Sequence, residues 1–227
     1  MGEVDRIFRL GITRFDELCG KWEFPLIEGT NHVPKDLISF NYVLNSKKQS
    51  DLRKGVHFYI DDYQFERVWN RPETYVPLLT KYDCLVTPDF SIYRELPTIM
   101  QMWNVFRSRC IGHLAEKMGM KVIINLMWSG PDSYDYCFDG LPKHKTVALS
   151  TVGSYKDTKK DKLTDVLFRE GLEEALTRLE PSNIIIYGVP IKGLDFRGIP
   201  VHYIANHNSV EFTGRRKKEE IKSEGEI

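Results

Sequence analysis

The sequence predicts an α/β fold built around a parallel sheet. Seven short segments are continuous apolar or β-branched runs rather than alternating ones, which is typical of parallel strands covered on both faces. Helical patterns separate these runs, and a repeated strand–helix–strand order indicates parallel βαβ units. The predicted strands are Phe40–Leu44, Val56–Ile60, Cys84–Thr87, Val122–Met127, Val147–Thr151, Asn183–Tyr187 and Val201–Ala205.

The pattern leaves two arrangements of the sheet open. The strands either close into an irregular TIM-like barrel, which we favour slightly, or lie open as a doubly wound sheet. The predicted helices span residues 61–80, with a break near Arg71-Pro72, residues 97–119, and residues 161–179, where Pro181 ends the apolar stripe. Residues 132–139 form either a short helix or a loop.

The chain divides into three parts. Residues 1–35 read as an irregular N-terminal packing segment, and residues 36–213 as one α/β domain. Residues 214–227 are charge-dense and almost without apolar side chains, which favours disorder or a frayed helix. At 227 residues the protein is long enough to bury a substantial core.

Composition excludes several classes of protein. With 32 basic and 32 acidic residues, the chain has no global field that would draw it to nucleic acid or to an anionic membrane. The four cysteines are too far apart in sequence for a CxxC metal or redox site, and Cys84 and Cys110 lie in apolar runs typical of a core. Since no signal peptide or membrane span is recognisable, we expect a cytoplasmic protein with no membrane partner.

Polar and aromatic residues follow several of the predicted strands. Ligands of parallel α/β folds bind at the carboxyl ends of the strands, where loops and helix N-termini converge. Asp61 and Asp89 follow two strands and are the candidate catalytic residues, although either position also suits a helix N-cap. Trp128 is a candidate stacking platform, and Ser150 and Thr151 are candidate hydrogen-bonding groups, although packing or a small-residue turn also explains them.

The long helix predicted at 97–119 adds two substrate-binding candidates. Arg107 falls inside the apolar stripe of this helix and Asn104 lies on its edge, whereas Arg109 points to solvent. A guanidinium directed at the sheet needs acceptors, and the candidates are Asp89 and, second, Asp61. Pairing with Asp89 would hold that carboxylate ionised or serve as a strut. The alternative is that Arg107 extends along the core and reaches water.

Recognised catalytic and metal-binding motifs are absent from the sequence. The six histidines form neither HxH nor HExxH, so no zinc site is predicted, and His207 is the one placed at the rim of strand ends. A two-carboxylate site of Asp61 and Asp89, with or without a divalent metal, stays open. The sequence contains no GxSxG, GxxxxGK[ST] or GxGxxG, which argues against serine hydrolases, P-loop proteins and dinucleotide-binding enzymes. It identifies no cofactor.

Several motifs in order resemble a known family. VTPDFSIYRELP, QMWNVFRSR, VIINLMW, FDGLP, ALSTVGS and IIIYG, over about residues 40–205, are similar to the uncharacterised phage and mobile-element family called domain of unknown function 4417. The resemblance implies a phage, prophage or plasmid origin and carries no activity. The layout also resembles TIM barrels that exchange bases in tRNA and phage DNA, whose strand-end aspartates would correspond to Asp61 and Asp89; the cysteine-rich zinc insertion of those enzymes is absent here.

The first functional hypothesis is an enzyme-like pocket at the strand carboxyl ends that acts on a nucleotide or a nucleic-acid base. Asp61 and Asp89 would supply acid, base or nucleophile, Arg107 and Asn104 would orient Asp89 or hold an anion, and Trp128 would stack on the substrate. The alternative is a non-catalytic binding protein that holds a small ligand or blocks a host protein or DNA. A third reading makes Arg107 and Asp89 a structural pair. The oligomeric state is not predicted.

Overall fold

A computed structural model describes residues 17–43, 48–152 and 162–206 of the chain. The charged tail, the rim histidine His207 and the first 16 residues lie outside these ranges. The strands are β1 (Leu18–Cys19), β2 (Phe24–Pro25), β3 (Leu37–Ser39), β4 (Gly55–His57), β5 (Cys84–Val86), β6 (Val122–Asn125), β7 (Thr146–Ser150), β8 (Asn183–Tyr187) and β9 (Val201–Ile204). The helices are α1 (Phe40–Val43), α2 (Asp62–Asn70), α3 (Pro72–Leu79), α4 (Thr98–Lys117), α5 (Tyr134–Cys137) and α6 (Lys162–Leu179), with 3₁₀ turns at Gln49–Arg53 and Pro131–Ser133.

The predicted parallel α/β architecture is confirmed. Within the described residues, β3 to β9 form one seven-stranded sheet in which consecutive strands are neighbours and every pair is parallel. The order contains no reversal, so the sheet is not doubly wound. It curls as half of a barrel, and in the described part of the chain β3 and β9 are its two edges.

Strand side chains alternate between two buried layers. One layer joins the helices to the outer face of the sheet, with residues such as Leu85, Ile124 and Ile186. The other fills the inner face of the curl and consists mainly of strand residues, among them Val86 and Ile185. Because both faces are covered, the strands need apolar residues at successive positions, which explains the continuous runs in the sequence.

The first predicted strand is wrong in position. The strand is Leu37–Ser39, and Phe40–Val43 is a short helix, with Phe40 fully buried against Phe58. The break predicted near Arg71-Pro72 is confirmed, because α2 ends at Asn70 and Pro72 occupies the first position of α3. The region 132–139 contains a short helix after a 3₁₀ turn.

The long helix α4 is confirmed, but the face that it buries differs from the predicted stripe. Ile99 is 71% exposed and Trp103 is 49% exposed, while Arg107 and Arg109 are buried. Arg109 was expected in solvent; instead its guanidinium donates to the carbonyls of Cys137 and Asp139, at 3.1 and 3.2 Å. Burial lowers the pKa of Arg109 to about 10, against the opposing effect of nearby acidic groups.

Cys84 and Cys110 are buried as predicted, and in the described ranges all four cysteines are free thiols. None of the helices in those ranges combines the length and apolar character that a bilayer crossing requires.

Candidate functional site

A cavity of about 270 Å³ opens at the carboxyl ends of β5, β6 and β7. Three of the predicted site residues line it: Asp89 after β5, Trp128 after β6, and Ser150 at the end of β7. The loop after β5 supplies Tyr93 and Arg94 as a further wall. The cavity therefore lies at the carboxyl ends of the strands, where parallel α/β proteins bind their ligands.

The segment that carries Asp89 is fixed on both sides. Pro88 has no amide hydrogen for the sheet, so the strand ends there. The Ser108 hydroxyl of α4 donates to the Pro88 carbonyl at 2.6 Å. Two residues after Asp89, the amide and hydroxyl of Ser91 both donate to the Asp62 carboxylate, at 3.0 and 2.9 Å.

Asp89 is also oriented by a chain of hydrogen bonds. The Asn125 side-chain amide donates to Asp89 Oδ1 at 2.7 Å, and Asn125 Oδ1 accepts from the Tyr59 hydroxyl at 3.0 Å. Tyr59 is buried and stacks on Tyr187 with ring centroids 5.4 Å apart. An amide held at both ends has one orientation, so it presents its N–H group to Asp89 rather than its oxygen.

The environment of Asp89 changes its protonation. Burial raises the pKa of Asp89 from 3.8 to about 6, the Asn125 hydrogen bond lowers it in part, and the charge on Asp62 raises it further. Burial likewise raises the pKa of Tyr59 well above its ordinary value, so its hydroxyl stays protonated as a donor. A carboxyl group with a pKa near 6 exchanges protons readily at neutral pH.

Trp128 is a rigid wall of the cavity. Its indole N–H donates to the Leu167 carbonyl at 3.1 Å, and its ring packs against Phe138 and Phe168. A Cβ atom at Gly171 would lie 2.2 Å from Trp128 Nε1, so α6 needs glycine at this position for the indole to approach.

Arg107 does not pair with Asp89, and that prediction is wrong. Its Nη1 donates to both oxygens of Glu66, at 2.7 and 2.9 Å, and its Nη2 donates to Asn104 Oδ1 at 2.7 Å. The guanidinium lies 3.9 Å from the centre of the Phe90 ring. Because Phe90 is packed under it and α2 presents Glu66 nearby, the carboxylate on the neighbouring helix is the one within reach.

Asn104 contributes to the site indirectly. Its side-chain amide donates to the Ser91 carbonyl at 2.5 Å, so Asn104 joins the Arg107–Glu66 pair to the loop that carries Asp89. Asn104 and Arg107 do not line the cavity.

Two other predicted residues lie elsewhere. Asp61 is exposed at the N-cap of α2 and is outside the cavity, where its carboxylate accepts a hydrogen bond from Gln64 at 3.3 Å. Thr151 is buried, and its hydroxyl accepts from the Val189 amide at 2.7 Å. Thr151 therefore fixes the loop after β8 rather than facing the cavity.

Comparison with known proteins places the chain in a family. The pattern that defines the family described as domain of unknown function (DUF4417) matches residues 16–202. The chain belongs to the DUF4417 family. The match begins 24 residues earlier than the resemblance seen in the sequence, so it includes part of the N-terminal segment. No solved structure matches the chain.

Two curated phage proteins are similar to this DUF4417 chain. The Gene 1 protein of Mycobacterium phage D29 is 36% identical over 167 residues, which cover 74% of this chain and 60% of the D29 protein. The Gene 1 protein of Mycobacterium phage L5 is 35% identical over 172 residues, which cover 76% of this chain and 73% of the L5 protein. The chain thus spans less than two thirds of the D29 relative.

The DUF4417 cavity contains functional candidates that the sequence argument missed. Asn125 lies inside an apolar run, and the strand predicted there extended to Met127, whereas the structure ends it at Asn125. The signal available was a polar amide among apolar neighbours. Arg94 is exposed at the cavity wall. The available signal was its position in the segment DFSIYRELP, because this segment directly follows a predicted strand and contains the candidate Asp89.

Proposed function

We propose that this phage-family protein is an enzyme that binds a nucleotide or a nucleic-acid base in the Asp89 cavity and uses Asp89 as a general acid and base. The observation that supports it is the carboxyl group itself. It lines an open cavity, is oriented by Asn125, and has a pKa near 6. A carboxylate that only capped a helix would need neither the cavity nor the buried hydrogen-bond chain.

The size and walls of the cavity favour a small planar ligand. Ligand pockets commonly occupy about 300–1,000 Å³, so a cavity of about 270 Å³ suits a base or nucleoside better than a dinucleotide. Trp128 and the apolar Met127 and Leu149 provide area for a ring, and Asp89 provides a hydrogen-bonding group for its edge. Arg94 at the wall is the group expected to meet a phosphate.

Asp89 would act through its protonation cycle. As a carboxylate it would accept a proton from the substrate or from a water that attacks it, and as a carboxylic acid it would return that proton to the leaving group. Asn125, fixed by Tyr59, would hold Asp89 Oδ1 and leave the other oxygen directed to the ligand.

Binding and turnover can be measured separately. Nucleobases, nucleosides, nucleoside monophosphates and short oligonucleotides would be screened by quenching of tryptophan fluorescence, and products would be sought by mass spectrometry. We expect Arg94→Ala to weaken binding of a monophosphate by about 10- to 150-fold while leaving the matching nucleoside unchanged, because one charge-assisted contact is worth about 1.5–3 kcal/mol.

Asp89→Asn should keep the acceptor for Asn125 and preserve binding within a few-fold, yet lower turnover by at least about a hundredfold. Exposed Asp61, changed to Asn, is the matched control and should leave both unchanged. Binding without any turnover in the unmodified protein would instead support a non-catalytic binding protein. The absence of binding by every member of the panel would refute the nucleotide proposal.

A further inference from the structure

A second group of chemically reactive side chains lies at the amino ends of the strands, opposite the carboxyl ends where Asp89 lies. His32 is in the loop before β3, Asp83 immediately precedes β5, and Cys84 begins β5. A ring nitrogen of His32, a carboxylate oxygen of Asp83 and the sulfur of Cys84 all lie within 4.8 Å of one another. We propose that these three side chains bind a divalent transition-metal ion, with Zn²⁺ as the expected metal.

The ligand set and its spacing suit zinc. Imidazole, carboxylate and thiolate are the three ligand types that Zn²⁺ uses, and three protein ligands leave one position of a tetrahedron for water. His32 Nε2 lies 2.6 Å from Asp83 Oδ2. Two ligands about 2.0 Å from a tetrahedral ion are roughly 3.3 Å apart, so the metal would replace this hydrogen bond after a small side-chain movement.

The positions of His32 and Asp83 are set by other contacts and remain reachable. The amide of His32 donates to the Thr30 hydroxyl at 3.2 Å, and the amide of Asp83 donates to the Lys54 carbonyl at 3.2 Å. The side chains of His32 and Asp83 are 28% and 22% exposed and line a cavity of about 480 Å³. Cys84 is buried behind them on the inner face of the sheet.

Metal binding at this cluster would release a proton. Although burial opposes it, hydrogen bonds from His32 and Lys121 hold the pKa of Asp83 below its ordinary value, so Asp83 is ionised at neutral pH. Cys84 is a free thiol, and a thiol must lose its proton before its sulfur can bind a metal ion. As the Zn–S bond forms and the S–H bond breaks, this proton passes to solvent, and the affinity rises with pH.

A competing interpretation is that Asp83 serves only as a structural partner of Lys121. This ion pair would join the residue before β5 to the residue before β6. Lys121 Nζ lies 3.2 Å from Asp83 Oδ1, and the Lys121 side chain is half exposed. The two interpretations differ in what removal of Lys121 does. A structural pair loses stability, whereas a metal site binds more tightly because a competing positive charge has gone.

Cobalt titration of the full chain tests the proposal. After treatment with a chelator, the protein is titrated with Co²⁺, and Zn²⁺ is then added as a competitor. We expect a near-ultraviolet thiolate-to-cobalt charge-transfer band with visible bands of tetrahedral intensity, all lost when Zn²⁺ is added. Cys84→Ser should abolish the charge-transfer band, and Cys110→Ser, which changes another buried thiol, should retain it.

Substitutions of His32 and Lys121 test how much each side chain contributes to the affinity for Co²⁺. His32→Gln should weaken Co²⁺ binding by at least about tenfold, and Lys121→Met should strengthen it. Zn²⁺ should raise the melting temperature of the unmodified protein and leave that of Cys84→Ser unchanged. Circular dichroism checks that each variant is folded.

Two results would overturn the metal site. One is the absence of a charge-transfer band from the unmodified protein, and the other is its persistence in Cys84→Ser. If Cys84→Ser does not fold, His32→Gln decides the question, because unchanged Co²⁺ affinity in that variant excludes the cluster as ligands. Neither result bears on the cavity around Asp89, which lies at the carboxyl ends of the strands.

Discussion

Replacing Asp89 with Asn should stabilise the protein above about pH 6, and the gain should disappear in acid. The folded protein binds the Asp89 proton with a pKa of about 6, whereas the ordinary value, taken for the unfolded chain, is 3.8. Between these two values the folded state holds a proton that the unfolded chain has released. The free energy of unfolding therefore falls as the pH rises through this interval.

The size of the effect follows from the shift. A difference of about 2 pKa units corresponds to about 3 kcal/mol, and since Asp89 reaches solvent through the cavity this value is an upper bound. Asn at this position removes the charge and still offers an oxygen to Asn125. We expect Asp89→Asn to gain about 1–3 kcal/mol at pH 8, or about 2–12 °C in melting temperature for a domain of this size.

Urea unfolding of both proteins at a series of pH values from about 4 to 8 measures this directly. The difference in unfolding free energy should shrink towards zero near pH 4. Asp61→Asn is the control, because Asp61 is exposed outside the cavity, and we expect it to change stability by less than about 0.5 kcal/mol. A difference for Asp89→Asn that does not vary with pH, or a loss of stability at pH 8, would refute the reasoning.

Two further predictions concern packing around the site. Glu66→Gln should cost about 2–3 kcal/mol in urea unfolding, because it leaves the buried guanidinium of Arg107 without its carboxylate; equal stability would show that the pair contributes nothing. Gly171→Ala should displace the Trp128 indole, change its fluorescence and cost about 1–3 kcal/mol. The control is Gly130→Ala, where the nearest atom to the added methyl is 4.0 Å away, and an equal cost in both variants would contradict the packing argument.

The sequence predicted the fold well because the two covered faces leave a direct signature. Runs such as NIIIY are continuous, and the strand Asn183–Tyr187 has the predicted bounds. The error at Phe40–Leu44 has a local cause. FNYVL contains residues that favour strands. The pairing with β4, however, is made by the preceding residues Leu37–Ser39. The chain turns into a helix at Phe40, whose ring packs on Phe58.

The site was predicted in part because strand ends can be read from sequence and tertiary contacts cannot. The rule for parallel sheets brought Asp89, Trp128 and Ser150 to one cavity. The partner of Arg107 could not be predicted from the sequence, because the choice between Asp89 and Glu66 depends on how α2 packs against α4. The cluster of His32, Asp83 and Cys84 was missed for a similar reason, since 51 residues separate the histidine from the aspartate.

The unbroken strand order has a consequence for how the protein folds. Since each strand of the sheet pairs with the strands next to it in sequence, no pairing in the described residues joins the two ends of the chain. Each strand pairing therefore closes only a short loop and has a small entropy cost. Neighbouring βαβ units can form in the order of synthesis on the ribosome. We expect the nucleus at β7 and β8, whose register of five residue pairs, Thr146 to Ser150 with Asn183 to Tyr187, is the longest described for the sheet.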